Sequence, residues 1–179
     1  DRPRLGKYRV RLRSAEPADL EAVYRAWMSP ENQTWRGAGE TFPFHETEAR
    51  LFADTDAVLV GEPVGAGRPV SLRCRYGTNG LARFAYLAHI RLDWEHSAGP
   101  FAAFEGHVQF IDLAFRESDL RKVMFEVPEP NRWLFDGFVD EDCVATIRKH
   151  RFVDGAYVDV HHVSLWREVW EANTAIWRV

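Results

Sequence analysis

FIDLAFRESDLRKVMFEVPEPN, residues 110–131, is the stretch from which the rest of the fold can be read. Its first half completes a helical pattern that begins near Ala102. Phe104, Val108, Ile111, Ala114 and Phe115 fall on one broad apolar stripe, while Gln109, Asp112 and Arg116 lie mostly away from it. The second half changes period: Val123, Phe125 and Val127 alternate with Lys122, Met124 and Glu126, the two-residue repeat of a strand. The spacing therefore predicts a helix over 102–117, a strand over 122–127 and, from Asn131, a short helix over 131–138.

Working outward, residues 83–92 form a long apolar run expected to be a central strand, with Phe84, Tyr86, Ala88 and Ile90 on one face and His89 on the other. A break follows at 96–100. Downstream, 144–152 and 157–166 are strand-like and are separated by Val153-Asp154-Gly155-Ala156; an Asp-Gly pair in that position is a hairpin signal, because glycine accepts a positive φ. Toward the start, a strand over 8–12 precedes Ser14-Ala15-Glu16-Pro17-Ala18-Asp19, a polar opening for a helix that carries Leu20, Val23, Tyr24 and Trp27. That helix should stop near Ser29-Pro30. A second helix is expected over 46–52 and strands over 57–60 and 69–76, with GEPVGAGRP (61–69) and YGTNG (76–80) read as turns. The order β, α, α, β, β, β, α, β, α, β, β points to an α+β sheet with helices on its faces.

Composition bounds the function. The 179 residues are 46% apolar and 28% charged, which suits one globular domain over 1–179 with an ordinary core. With 23 Lys and Arg against 27 Asp and Glu, the formal charge of −4 argues against a general nucleic-acid or anionic-membrane surface. No run approaches the roughly 20 apolar residues of a spanning helix, and DRPRLGKYRVRLR is too charged for a secretory leader. A soluble, cytoplasmic protein is the expectation. Cys74 and Cys143 make neither a disulfide framework nor a zinc pattern and read as free thiols.

Three stretches together resemble the GNAT superfamily of N-acetyltransferases. RVRLRSAEPADLEAVYRAW (9–27) is similar to the opening strand and first helix of the branch that acetylates ribosomal-protein N-termini and amino-sugar antibiotics. FIDLAFRESDLRKVMFEVPEPN resembles the core helix, the next strand and the asparagine after it. GFVDEDCVATIRKHRFVDGAYVDVHHVSLWREVW (137–170) resembles that branch's final hairpin, with its D-G-x-Y-x-D turn and R-E-x-W ending. The resemblance covers nearly the whole chain. It implies a mixed, mostly antiparallel sheet in which the strands 83–92 and 122–127 run parallel and splay, so that the pantetheine arm of acetyl-CoA or another acyl thioester enters between them. The implied reaction is acyl transfer to the amine of a small molecule. Ile90, Leu92, Gly99, Phe101, Ala102 and Asn131 fall at the implied donor-binding positions.

Acyl transfer to an amine needs an anchored donor, a deprotonated amine, and stabilisation of the oxyanion and leaving thiolate. The family's pyrophosphate loop, Q/R-x-x-G-x-G/A, is matched here only by Gly99 within His96-Ser97-Ala98-Gly99-Pro100-Phe101. Pro100 offers no N–H and suits a helix start instead. Two readings follow. Either the donor includes an acyl carrier protein, whose arm arrives without a nucleotide, or the GNAT scaffold serves small-molecule binding, resistance or a CoA-independent reaction. The family often protonates the thiolate with a Tyr or Ser after the asparagine. Asn131-Arg132-Trp133-Leu134-Phe135-Asp136 has no hydroxyl, and Trp133 and Phe135 read as core or wall.

For the base, His89, Asp93 and Glu95 are candidates, His89 also reading as a structural residue. By the resemblance, Trp27, Trp35, Phe42, Phe44 and Tyr86 line the acceptor pocket. His161 and His162 point to opposite faces of a strand, so no metal site is expected from them. Arg148, Lys149, His150 and Arg151 read as a solvated edge, and the Trp-rich segment 166–177 as a homodimer contact.

Overall fold

The computed structural model describes residues 10–32, 41–53, 55–65, 69–92, 99–135, 144–153 and 155–175. Seven strands, β1 (Val10–Ser14), β2 (Thr55–Pro63), β3 (Ser71–Asn79), β4 (Phe84–Arg91), β5 (Lys122–Pro128), β6 (Val144–Val153) and β7 (Ala156–Trp166), form one sheet in the order β1-β2-β3-β4-β5-β7-β6. All neighbours are antiparallel except β4 and β5. A parallel pair needs a crossover, and the helix α3 (Gly99–Glu117) supplies it. The remaining helices are α1 (Leu20–Met28), α2 (Thr47–Phe52) and α4 (Arg167–Ala175).

Strand alternation divides the apolar residues between two cores. On one face α3 packs Val108, Phe110, Ile111, Ala114 and Phe115 against Ala85, Leu87, Val123, Phe125 and Val127, joined by Trp170 of α4. On the other, Val23 and Ala26 of α1 and Leu51 of α2 meet Val58, Val60, Leu72, Cys74 and Ile90. The odd residues of β4 from Ala85 to His89 thus face α3, and the even ones face α1 and α2.

At the start of α1, Asp19 receives Arg13 in bidentate fashion at 2.7 and 2.9 Å and also accepts the Glu16 N–H at 2.8 Å. The arginine bonds hold the Asp19 carboxyl below the usual carboxylate range, against the opposing cost of its burial. At the far end of α3, the Arg167 guanidinium donates to the carbonyl of Phe115 in the last turn and to those of Ser118 and Leu120 just beyond the helix, at 2.7 to 2.9 Å.

Several sequence expectations change. YGTNG is not a turn: Gly77, at φ 58°, absorbs a register shift, so β3 continues to Asn79 and pairs with Phe84. Residues 61–63 likewise belong to β2. The expected helix over 131–138 is a 3-10 segment, Glu129–Phe135, too short to bury both sides, and Trp133 is 67% exposed rather than core. The end of β7 runs directly into α4, whose Trp170 is buried in the α3-side core. Gly155, at φ 82°, turns the β6–β7 hairpin as Asp-Gly predicts.

Candidate active site

β4 and β5 pair only through Phe84 with Lys122, Ala85 with Val123 and Tyr86 with Met124. β4 nevertheless continues to Arg91 and β5 to Pro128, so beyond Tyr86 the two run on without pairing to each other. Their outer edges are taken by β3 and β7. What lies between them is a slot where the ladder of the sheet is interrupted, toward which backbone N–H and C=O groups of both strands point.

The hydrogen bonds at the strand ends fix which residues face it. Leu92 N–H donates to Val70 O at 2.9 Å, which turns Leu92, and by alternation Ile90, toward β3. Leu87, His89 and Arg91 therefore direct their backbone into the slot. On β5, Arg167 N–H donates to Arg121 O at 2.8 Å, so alternation turns Glu126 and Pro128 to the slot side. Ile90 and Leu92 turn their backbone toward β3, and the Ile90 side chain lies in the α1/α2 core. At the outer end of β4, Asn32 Nδ2 donates to both Ala26 O and Arg91 O at 2.8 Å, tying the end of α1 to the rim.

On the α3 side the slot has an aromatic wall. The His107 ring stands 6.0 Å from His89 and 5.6 Å from Phe125, between centroids, and so spans from β4 to β5. Burial and then the nearby charge of Arg73 push His107 down to about 3. The same two causes, in that order, with smaller effects from His107 and Arg91, hold His89 well below the ordinary histidine value. His89 keeps some surface as a residue, but its Nδ1 is buried. Both rings are neutral, and a nitrogen so reluctant to charge is a poor acceptor for an amine proton.

Arg73 itself is fully buried, with its Nη1 donating to Ser71 Oγ, and burial lowers it to about 10, still a cation at neutrality. Two glycines make room for its guanidinium: a Cβ on Gly106 would stand 2.5 Å from Nη2, and one on Gly61 2.6 Å from Nη1. Fully buried between the two backbones, the group has little space into which to give way. Gly106→Ala should therefore destabilise the protein by about 1–2 kcal/mol, overpacking outweighing the roughly 1 kcal/mol that alanine gains in helix propensity. Thermal unfolding reads this as a Tm lower by about 3–6 °C, at roughly 2–4 °C per kcal/mol for a domain of this size; an unchanged or raised Tm would mean that the guanidinium has room to move.

On the α1/α2 side stands a polar aromatic group. Tyr86, in the last paired position of β4, stacks on Tyr76 at 5.4 Å and 22° and meets Phe84 edge-on at 5.9 Å. Its hydroxyl lies 3.4 Å from Nδ1 of His162 on β7. Because β5 separates β4 from β7, that contact crosses over β5 at the fork. Glu126, directly beside His162 in the register, has Arg151 at 3.5 Å. Burial, then the charge of Glu126, raise the Tyr86 phenol above its usual value.

The other predicted residues fall elsewhere. Phe42 is buried, 5.2 Å from Trp27 and 5.9 Å from Tyr24, while Phe44 is half exposed, 5.4 Å from Tyr24. These rings knit α1 to the approach to α2, a separate group from Tyr86. Gly99 begins α3, as the Gly-Pro start predicts, and Phe101 and Ala102 follow in its first turn. Asn131 is half-buried in the 3-10 segment. That segment is held by Glu129, whose carboxylate meets His161 Nε2, while His161 Nδ1 meets Thr146 Oγ1 at 2.9 Å. Asp93, Glu95, Trp35 and Cys143 lie outside the described residues. His162 and Glu126 were not singled out from the sequence, where His162 entered only as half of an improbable metal pair.

No family model matches the chain, nor does any curated protein. Solved structures do. The spermidine N-acetyltransferase of Vibrio cholerae, in complex with CoA and spermine, superposes with a TM-score of 0.75 at 20% identity, over 92% of this chain and 99% of that one. The fold is the GNAT fold. A second structure of that spermidine/spermine N-acetyltransferase, with manganese ions, gives 0.71 at 20% identity over 93% of this chain and 97% of that one. In the GNAT fold of this chain, the parting of β4 from β5 is the splayed parallel pair that the sequence resemblance implies.

Proposed function

We propose that this chain is an N-acyltransferase that moves an acyl group from a pantetheine thioester, carried by CoA or by an acyl carrier protein, to the amine of a small molecule. The observation that carries the reading is the slot. A pantetheine arm is narrow, extended and built around two secondary amides, so it can complete the interrupted ladder much as an added strand would. Backbone groups of Leu87, His89 and Glu126 supply donors and acceptors along it. Pro128 supplies a carbonyl alone. An arm lying there carries its terminal thioester at the closed end of the fork, beside Tyr86 and Met124.

The structural neighbours support the same reading, since the first is named a spermidine N-acetyltransferase and was solved with CoA and spermine. In this reading His107, His89 and Phe125 form a dry, uncharged wall along the arm, and Asn131 sits near the strand end through which the arm passes. Gly99 at the start of α3 faces the donor's phosphate end. Asp93, Glu95 and Trp35 stay candidates for the acceptor side, together with Trp27, Phe42 and Phe44 at the end of α1.

The test supplies both donors, acetyl-CoA and an acetylated acyl carrier protein, with n-butylamine, spermidine and glucosamine as acceptors. Amine-dependent release of free thiol, with acetylated amine detected by mass spectrometry, is expected from at least one donor. Thioester binding without product, or no binding of either donor by calorimetry, would overturn the reading in favour of a GNAT scaffold that only binds.

A further inference from the structure

The catalytic step needs a proton delivered to the leaving sulfur, and the usual position for a hydroxyl, just after Asn131, holds Arg132 and Trp133. A hydroxyl does stand at the fork, but on a different strand. Resting on the acyl-transfer reading above, we propose that Tyr86 is the acid that protonates the leaving thiolate and that His162 carries the proton to it from the attacking amine.

Three observations bring the pair together. Tyr86 occupies the last position at which β4 still pairs with β5, the closed end of the slot. Its hydroxyl reaches across β5 to His162 Nδ1 at 3.4 Å, a distance that a small ring rotation shortens on substrate binding. Both residues face α1 and α2, the side away from the α3 wall, so an acceptor amine can approach them without crossing the buried Arg73 cluster. Among the described residues, the charged groups near the pair include Glu126, opposite His162 on β5, Arg151 on β6, and Lys122, over the Phe84 ring beside Tyr86.

Separately, burial and Glu126 keep the phenol protonated at neutral pH, as a proton donor requires. An imidazole can accept a proton on one nitrogen and release one from the other, which suits it to relay rather than to store.

The step balances as follows. The amine nitrogen attacks the thioester carbonyl and forms the C–N bond; the C–S bond breaks and its electron pair goes to sulfur. Tyr86 Oη gives its proton to that sulfur and is reprotonated by His162, which takes the proton lost by the amine. One amide and one thiol result; the enzyme's proton count is restored, with the His162 N–H moved from one ring nitrogen to the other, and exchange with water returns it to the starting tautomer before the next turnover.

The experiment measures kcat and KM for the best donor and amine of the panel above in wild type, Tyr86→Phe, His162→Gln and the double variant, with thermal unfolding to verify that each folds. Either single change is expected to lower kcat by about 100-fold, the range for a lost proton-transfer group, with the donor KM within about threefold. Because the two act as one relay, the double variant should lose no more than the worse single. A kcat within about threefold of wild type in Tyr86→Phe overturns the inference, as does a double loss equal to the product of the singles. His162→Gln retains a hydrogen-bonding group beside Tyr86, so a merely structural contact would survive it with kcat intact. If wild type transfers from neither donor, it is the acyltransferase reading that fails; if wild type is active and the variants are too, only the relay fails.

Discussion

Between about pH 6.5 and pH 4.5 this protein should lose stability, and His107→Phe should remove a large part of that loss. The half-buried His107 resists protonation down to about 3, through burial first and the charge of Arg73 second. In the unfolded chain the same ring takes a proton near 6.5. A depressed histidine therefore favours the fold fully above the unfolded value. As the pH falls below it, the unfolded state binds a proton that the fold refuses, and stability declines until the folded value is reached. The shift from about 6.5 to about 3 caps the effect at roughly 4–5 kcal/mol, at about 1.4 kcal/mol per unit, and His89 acts in the same direction. Asp19 works in another window: its depressed carboxyl favours the fold above about 4, and that contribution goes only below it. Urea midpoints at pH 7 and 4.5 thus isolate the histidines. Wild type should show a clear drop and His107→Phe a smaller one, since phenylalanine fills the space beside Phe125 without a site to titrate. Parallel pH profiles would mean that His107 takes up a proton in the fold as readily as in the unfolded chain.

The same buried group shows where sequence reading stops. The alternation of Phe84, Tyr86, Ala88 and Ile90 correctly separates the faces of β4 and puts His89 on the opposite one, because side-chain period is local. Which helix covers that face, and that Arg73, His89 and His107 meet under it, depends on register between segments up to 34 residues apart, which no local pattern encodes. The slot is similar. Each of β4 and β5 is legible as a strand, yet nothing in either run marks Tyr86 and Met124 as the last paired positions. Likewise the alternation of His161 and His162 was readable and useful only against a metal; across β5, 76 residues from Tyr86, His162 acquires its partner. Glycine signals divided in two. Gly155 in the Asp-Gly turn behaved as the pattern dictates, whereas Gly77 relieved a bulge inside a strand, a role that a cluster of turn-forming residues hides.

Trp170→Ala should cost about 3–5 kcal/mol, the range for emptying a large aromatic site in a core, and lower the Tm by on the order of 10 °C. The indole is 4% exposed and packs in the α3-side cluster, and its Nε1 donates to Asp112 Oδ1 on α3 at 2.7 Å. Truncation thus opens a cavity and takes a hydrogen bond from a carboxylate at once. Trp170→Phe divides the two effects: most of the volume stays, the donor goes, and the loss should fall to about 1–3 kcal/mol for a bond to a charged group. If Trp170 lies instead at a contact between subunits, the alanine variant will change the oligomeric size with little effect on unfolding. Because Arg167, one turn earlier, already fastens the same helix α4 to the carbonyls closing α3, the segment is anchored at two points on one face. Size-exclusion chromatography beside thermal melts decides between the two accounts. A lower Tm at unchanged size assigns Trp170 to the core, and a size shift at unchanged Tm returns it to an interface. Because Trp170 shares its cluster with Ala85 and Leu87 of β4 and Val123 and Phe125 of β5, the two effects are not independent, and transfer activity should fall together with stability rather than stay at the wild-type level.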